Sequence, residues 1–143
     1  MSLRQTLITS GSALTAQRLR MDIIANNIAN ANTTRTPEGG PYRRQRVVFM
    51  PREDSFAWAS QDSQRAGRGV QVESIVEDQR EGPFVYDPSH PDADPDTGMV
   101  QMPNVDIVTE MVDMLAARRS YEANVVATNV TKAMASAALE IGR

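Results

Sequence analysis

The stretch Leu3-Arg-Gln-Thr-Leu-Ile-Thr-Ser-Gly-Ser-Ala-Leu-Thr-Ala-Gln-Arg-Leu-Arg-Met-Asp-Ile-Ile-Ala-Asn-Asn-Ile-Ala-Asn-Ala31 decides the fold. Its apolar residues recur every seventh position, at Leu7, Leu14, Met21 and Ile28, with Leu3, Ile24 and Ala31 on the alternating positions. That spacing predicts a helix with an apolar stripe, entered at an N-cap Ser2 and closing near Asn30–Asn32. A second apolar line, Ile8, Leu19 and Ile23, lies on another side, so the helix meets more than one partner. Gly11 and Ser12 each cost ~0.5–1 kcal/mol relative to Ala inside a helix, and packing has to offset them.

The other end of the chain repeats the pattern. From Asn104, an N-cap after Pro103, to Ile141 the spacing predicts a second long helix, with Asp106 in its first turn suiting the helix dipole. Val108, Met111, Val112 and Leu115 form its first apolar cluster, and Val126, Val130, Met134, Ala137 and Ile141 its last. Arg118, Arg119 and Glu122 interrupt between them. Neither helix can hide its stripe alone, which suggests a subunit built to pack against other copies.

Between the helices lies a segment rich in Pro, Gly, Arg and Asp. Thr36-Pro-Glu-Gly-Gly-Pro41 reads as a turn, and Tyr42 to Met50 as a strand stopped by Pro51. Residues 52–68 show neither period and read as an irregular loop anchored by Phe56 and Trp58. Gly69 to Val76 alternates through its first half and is the best strand candidate; Phe84-Val-Tyr86 is a short third one. Asp87 to Gly98 is too rich in Asp and Pro for regular structure. The expected architecture is mainly α with a small β segment. Long N- and C-terminal helices (1–34 and 104–143) pack as a coiled coil, and a loop-rich middle region (35–103) contains a β-hairpin.

Composition narrows the function. With 143 residues, a net charge of −3 and 5% aromatics, the chain has few large anchors for a wide core and lacks the basic footprint of a nucleic-acid binder. The absence of Cys removes disulfides, thiolate catalysis and Cys-based zinc sites. No cleavable signal and no membrane-spanning run is visible, which suits a soluble protein that is either cytosolic or exported by an unconventional route. Lys132 is the sole lysine, and charge is segregated. Arg35, Arg43, Arg44, Arg46 and Arg52 make a basic stretch, while Glu77, Asp78, Glu81, Asp87, Asp92, Asp94 and Asp96 make an acidic one. The two could pair within a subunit or between copies.

Little supports catalysis. His90 is the only histidine, which rules out a multi-His metal site. Asp92-Ala-Asp94-Pro-Asp96 starts like a calcium loop, but Thr97 stands at the glycine position and Pro103 at that of the bidentate acid. Arg43-Arg-Gln-Arg46 could touch phosphate, yet no aromatics interleave and the chain is acidic overall. No phosphate loop, nucleophile elbow or His-Glu-x-x-His motif is present. The expectation is a non-enzyme with no catalytic, cofactor-binding or metal-binding residues.

Four Asn, at positions 26, 27, 30 and 32, crowd the end of the first helix. Asn26 and Asn30 share a face and Asn27 points elsewhere. Either they solvate a frayed end, or they form an amide ladder that satisfies buried polar groups and fixes helix register, the reading favoured here.

Ser10-Gly-Ser-Ala-Leu-Thr-Ala-Gln17 with Ile24-Ala-Asn-Asn-Ile-Ala-Asn-Ala-Asn-Thr33 resembles the N-terminal signature of bacterial flagellar axial proteins of the rod and hook class. Arg119-Ser-Tyr-Glu-Ala-Asn124 resembles its C-terminal signature. Thr36–Arg44, Val85–Asp94 and Val100–Ile107 are similar to the proximal-rod family of that class, FlgC, and the short middle region fits it. The resemblance implies a structural subunit that polymerises helically through its terminal helices into the proximal drive shaft, transmits torque and encloses the export channel. It implies other copies and other rod proteins as partners, the membrane-ring/rod adaptor at the base, and the flagellar type III export apparatus in transit. Location would be the periplasmic rod of the basal body, with no cleaved signal, no cofactor, no nucleic acid and no membrane insertion. Asn26, Asn27, Asn30, Asn32 and Thr33, with Tyr121, Glu122 and Asn124, would serve inter-helix and inter-subunit contact. The apolar candidates for the same interface are Leu7, Leu14, Met21, Ile28, Met111, Leu115, Val130 and Met134. The alternatives are a non-flagellar coiled-coil adaptor or scaffold, which explains the helices alone, and a calcium- or phosphate-binding regulatory module.

Overall fold

A computed structural model describes residues 3–52 and 69–141. The expected Ser2 cap and the Phe56 and Trp58 anchors lie outside the described residues. Helix α1 covers Leu3–Ala29 and helix α2 Ile107–Ile141, with four strands between them: β1 (Gln45–Pro51), β2 (Val70–Glu77), β3 (Phe84–Tyr86) and β4 (Met99–Gln101). The mainly helical chain with its small β segment is the expected fold class.

The two helices pack on each other antiparallel: Asn27 bonds to Glu110, and Arg20, a turn or two earlier in α1, meets Asp113, further along α2. At 1.5 Å per residue α1 is about 40 Å long and α2 about 52 Å, so α2 overhangs its partner by about 12 Å. Burial in α2 accordingly ends at Thr131.

β1 and β2 form an antiparallel hairpin that lies along α1. It is fixed at both ends. Asn27 holds the backbone of Gln45, and the Ser12 hydroxyl accepts the Val70 N–H at 3.0 Å while donating to the Thr9 carbonyl at 2.8 Å. The lengths agree: Ser12 to Asn27 spans about 22 Å of helix, and Gln45 to Pro51 about 20 Å of strand. Gly69 makes the Ser12 contact possible. Its φ is +109°, and a Cβ there would lie 2.4 Å from the Ser12 Oγ.

The alternation in 70–76 fails halfway because β2 carries a bulge. Val48 faces Ser74 but Phe49 faces Val72, leaving Glu73 as the extra residue. The bulge keeps Val72 and Ile75 on the same sheet face as their partners Phe49 and Val47, and Val47 and Phe49 line one cavity with Ile23 and Ile24 of α1.

The third strand was legible, but its partner β4 was not. Three residues, Met99–Gln101, are too few to show a period, and only their pairing with Phe84–Tyr86 defines them. Asp87–Gly98 is a chain of turns: Asp87 Oδ1 accepts from the Ser89 N–H and Asp94 Oδ1 from that of Asp96. Gly82 is required by close approach, since a Cβ there would sit 1.9 Å from the Met102 carbonyl oxygen. Gly82→Ala should destabilise the chain by about 1–3 kcal/mol in urea unfolding, because main chain has to shift.

α2 begins at Ile107, not at Asn104. Asp106 is the cap, accepting the Val108 N–H at 3.1 Å and the Thr109 hydroxyl at 2.7 Å. Those two bonds, the Thr109 hydroxyl first, hold its carboxyl below the usual range. Asn104 instead ties the middle region together: its amide donates to the carbonyls of Asp78 and Arg80 and accepts the Arg44 N–H.

A buried polar clamp and an outward apolar face

Where the two helices and the hairpin meet, the packing is polar. Asn27 is 1% exposed and its amide is fully used. Nδ2 donates to the Gln45 carbonyl at 2.8 Å and to Glu110 Oε2 at 2.9 Å; Oδ1 accepts the Gln45 N–H at 2.9 Å and the Tyr42 hydroxyl at 3.0 Å. Burial, then the charges of Glu77 and Glu110, push the Tyr42 hydroxyl above its ordinary pKa, so it remains a proton donor at neutral pH.

Glu110 is completely buried. Its other oxygen accepts from Arg44 Nε, whose Nη2 donates to Asp113 at 3.0 Å; Arg20 of α1 reaches the second Asp113 oxygen at 3.4 Å. A planar guanidinium is what lets one residue hold two carboxylates a helical turn apart. The clamp thus draws one amide from α1, one Arg and one Tyr from the segment entering β1, and two acids from α2. It fixes the azimuth of the hairpin as well as the helix register. Close by, the Asp78 N–H extends the hairpin ladder to the Arg44 carbonyl, and the Arg80 guanidinium holds the Asp78 carboxyl well below the usual carboxylate range.

Facing α1, α2 presents small and polar side chains: Glu110, Asp113, Ala117, Asn124, Thr128 and Thr131 recur at helical spacing and are buried or half-buried. Met114, Tyr121 and Val125 are half-buried beside them, but most of the large apolar residues lie on the opposite side. At about 100° per residue, Val108, Met111, Val112, Leu115, Val126, Val130 and Met134 share one arc, and each is 52–70% exposed. Arg119 and Glu122 sit midway along the same arc. α2 is therefore inside out for a chain standing alone, with its more apolar face outward.

The expected interface residues fall into separate groups. Met111, Leu115, Val130 and Met134 are on the outward arc with Glu122, which pairs with Arg118 at 2.9 Å. Leu7, Leu14, Met21 and Ile28 are half-buried along α1. Asn27 is inside the subunit. Asn26, Asn30 and Thr33 finish α1: Asn30 Nδ2 donates to the Asn26 carbonyl and the Thr33 hydroxyl to Asn30 Oδ1, while Asn32 is exposed. Tyr121 is half-buried, and Asn124 donates back to the Ser120 carbonyl within α2. Sequence reasoning missed Glu110, Arg44 and Tyr42 as clamp members. A signal for Glu110 existed, since it shares the arc of Ala117, Asn124 and Thr131 opposite the apolar residues.

The acidic and basic stretches meet in part within the chain. Asp92 accepts from the Thr34 hydroxyl at 2.9 Å and pairs with Arg35 at 3.7 Å. Among the described residues, no group of three or more His, Cys, Asp or Glu is arranged to hold a metal ion, and no helix is long and apolar enough to cross a membrane.

An antiparallel helix pair with a small β-rich middle and an unsatisfied outward face describes an assembly subunit, and known proteins specify which class. The family model "Flagella basal body rod protein" matches residues 7–35, and "Flagellar basal body rod FlgEFG protein C-terminal" matches residues 96–141. Over its whole length the chain is similar to flagellar basal-body rod proteins FlgC. Identity is 46% to that of Borreliella burgdorferi over 99% of this chain and 98% of the relative, and 48% to that of Bacillus subtilis over 96% and 97%. It is 41% to that of Escherichia coli O6:H1 over the full length of both. The chain belongs to the FlgC family of flagellar basal-body rod proteins and is a structural rod subunit. These relatives give no support to a non-flagellar adaptor.

Proposed function

We propose that this subunit polymerises helically, through the outward face of α2 and the half-buried stripe of α1, into the proximal drive shaft of the flagellum. The observation that carries this reading is the inverted α2. Seven large apolar side chains face away from the subunit, while the fully buried positions of α2 are Glu110, Ala117 and Thr131. Burying such a side chain contributes ~1.5–3 kcal/mol, and neighbouring subunits supply that burial. The clamp has a different task. Torque carried by the shaft loads the junction between hairpin and helices, and directional hydrogen bonds resist sliding there better than apolar contact does.

On this reading the subunit works without catalysis, leaves the cell through the flagellar type III apparatus without a cleaved signal, and sits in the periplasmic part of the basal body. Its neighbours are other copies, other rod proteins and the membrane-ring adaptor at the base. Deleting the gene in a motile host tests the reading. The expected result is immotile cells whose isolated basal bodies lack rod and hook in electron micrographs, with the intact chain restoring both. Normal rods in the deletion strain would refute it.

A further inference from the structure

The β3–β4 ribbon stands apart from the rest of the fold. Among the described residues no helix or other strand runs alongside it. Its cross-strand pairs sort the side chains onto two faces, Val85 and Val100 on one and Phe84, Tyr86, Met99 and Gln101 on the other. Val100 is 2% exposed, so the first face turns toward the subunit. On the second, Phe84, Tyr86 and Met99 are 60%, 68% and 41% exposed, in a chain that is only 5% aromatic. A two-stranded ribbon is marginal in water by itself, and an apolar outer face on one marks a contact surface. Its rim is acidic. The Asp94 N–H donates to the Met99 carbonyl at 3.0 Å, which sets Asp94 beside that end of the ribbon, and Asp94 and Asp96 are both exposed.

The β1–β2 hairpin carries the complement. Val47 and Phe49 face α1, so Arg46, Val48 and Met50 point outward with their partners Val76, Ser74 and Gln71. Arg46 and Arg52 are exposed, and neither forms a salt bridge with another described residue. Val48 and Val76 beside them are 36% and 43% exposed. We infer that the acidic, aromatic face of β3–β4 in one copy docks on the basic, apolar face of β1–β2 in the next copy of the shaft, Tyr86 against Val48 and Asp96 paired to Arg46. The inference rests on reading the chain as a helically assembling subunit, and it adds a contact beyond those of the helices. Charge selects the pairing: either face set against its own kind would oppose like charges, whereas acidic on basic attracts and brings the aromatic rings under Arg46. The two faces belong to different parts of the chain, so the contact is heterologous and repeats in one direction, as a shaft requires. It also gives the ribbon the cover that its own subunit leaves off.

The absence of cysteine makes the test direct. Tyr86→Cys and Val48→Cys are placed together in a chain that replaces the native gene in a motile host, and isolated basal bodies are oxidised mildly. The expected result is a ladder of linked copies above the dimer on a denaturing gel, with no link between copies from either single variant. Rods that form but yield no link between copies, or a link only to a different protein, overturn the inference and leave the assembly reading standing. Should the double-cysteine chain build no rods, charge reversal decides. Asp96→Arg should then reduce swimming in soft agar, and adding Arg46→Glu to the same chain should restore it. Normal swimming with Asp96→Arg, or a second change that restores nothing, overturns the inference.

Discussion

Arg44→Met should destabilise the free chain by about 3–5 kcal/mol, measured as a loss in urea unfolding. The reason is the state in which it leaves Glu110. That carboxylate is fully buried, and its remaining donor is the Asn27 amide. A charge stranded in a dry junction costs far more than the intact pair contributes, so the effect reports desolvation and not the worth of the salt bridge. Two companion variants separate these terms. Arg44→Lys should recover only part of the loss, since a point ammonium cannot serve Glu110 and Asp113 together. Arg44→Met combined with Glu110→Met removes both charges and should return most of the stability, giving a large coupling energy in a double-mutant cycle. Equal and additive losses from the two single changes would mean that the clamp is not a unit.

Asn27→Ala should cost about 3 kcal/mol, and Asn30→Ala less than about 1 kcal/mol, although the two residues look alike in sequence. Removing the Asn27 amide orphans the Gln45 N–H and carbonyl, the Tyr42 hydroxyl and one oxygen of the fully buried Glu110. Removing Asn30 frees groups at a half-exposed helix end that solvent can satisfy. Asn27→Asp should be at least as harmful as Asn27→Ala. It keeps the shape but exchanges two donors for a carboxylate facing Glu110. Urea midpoints for the three variants check the order, and a tolerated Asn27→Asp would show that the amide donors are dispensable.

The contrast shows what could be read from residues alone. Periodicity placed both helices because stripes such as Leu7–Leu14–Met21–Ile28 survive whatever they pack against, and 84–86 announced itself by three large residues in a row. The run of α2 to Ile141 was legible, yet its start was not: Asn104 and Asp106 are both good cap residues, and the cap falls to Asp106 because Asn104 is taken by Arg44, Asp78 and Arg80 across the fold. β4 and the Glu73 bulge were hidden for the same reason, since both exist only as pairings. The Asn cluster was legible as a polar device, but not which amide was buried. Asn27 differs from Asn26 by one step, or about 100° around the helix, and only the position of β1 makes that difference decisive. Glu110 was overlooked because a lone Glu on a helix is ordinarily a solvated residue, and nothing local reveals that Arg44, 66 positions away, lies against it.

The central claim is that the outward face of α2 is the surface through which the subunit assembles. The measurement that tests it most directly is complementation of a deletion strain with Leu115→Asp and with Val126→Asp, alongside unfolding of the same purified variants. Both side chains are more than half exposed in the single chain, so each variant should fold within about 0.5 kcal/mol of the parent. Each should nevertheless leave cells immotile and basal bodies without a rod, because a carboxylate would be buried against a neighbouring subunit. Folded variants that build normal rods and swim would contradict the account.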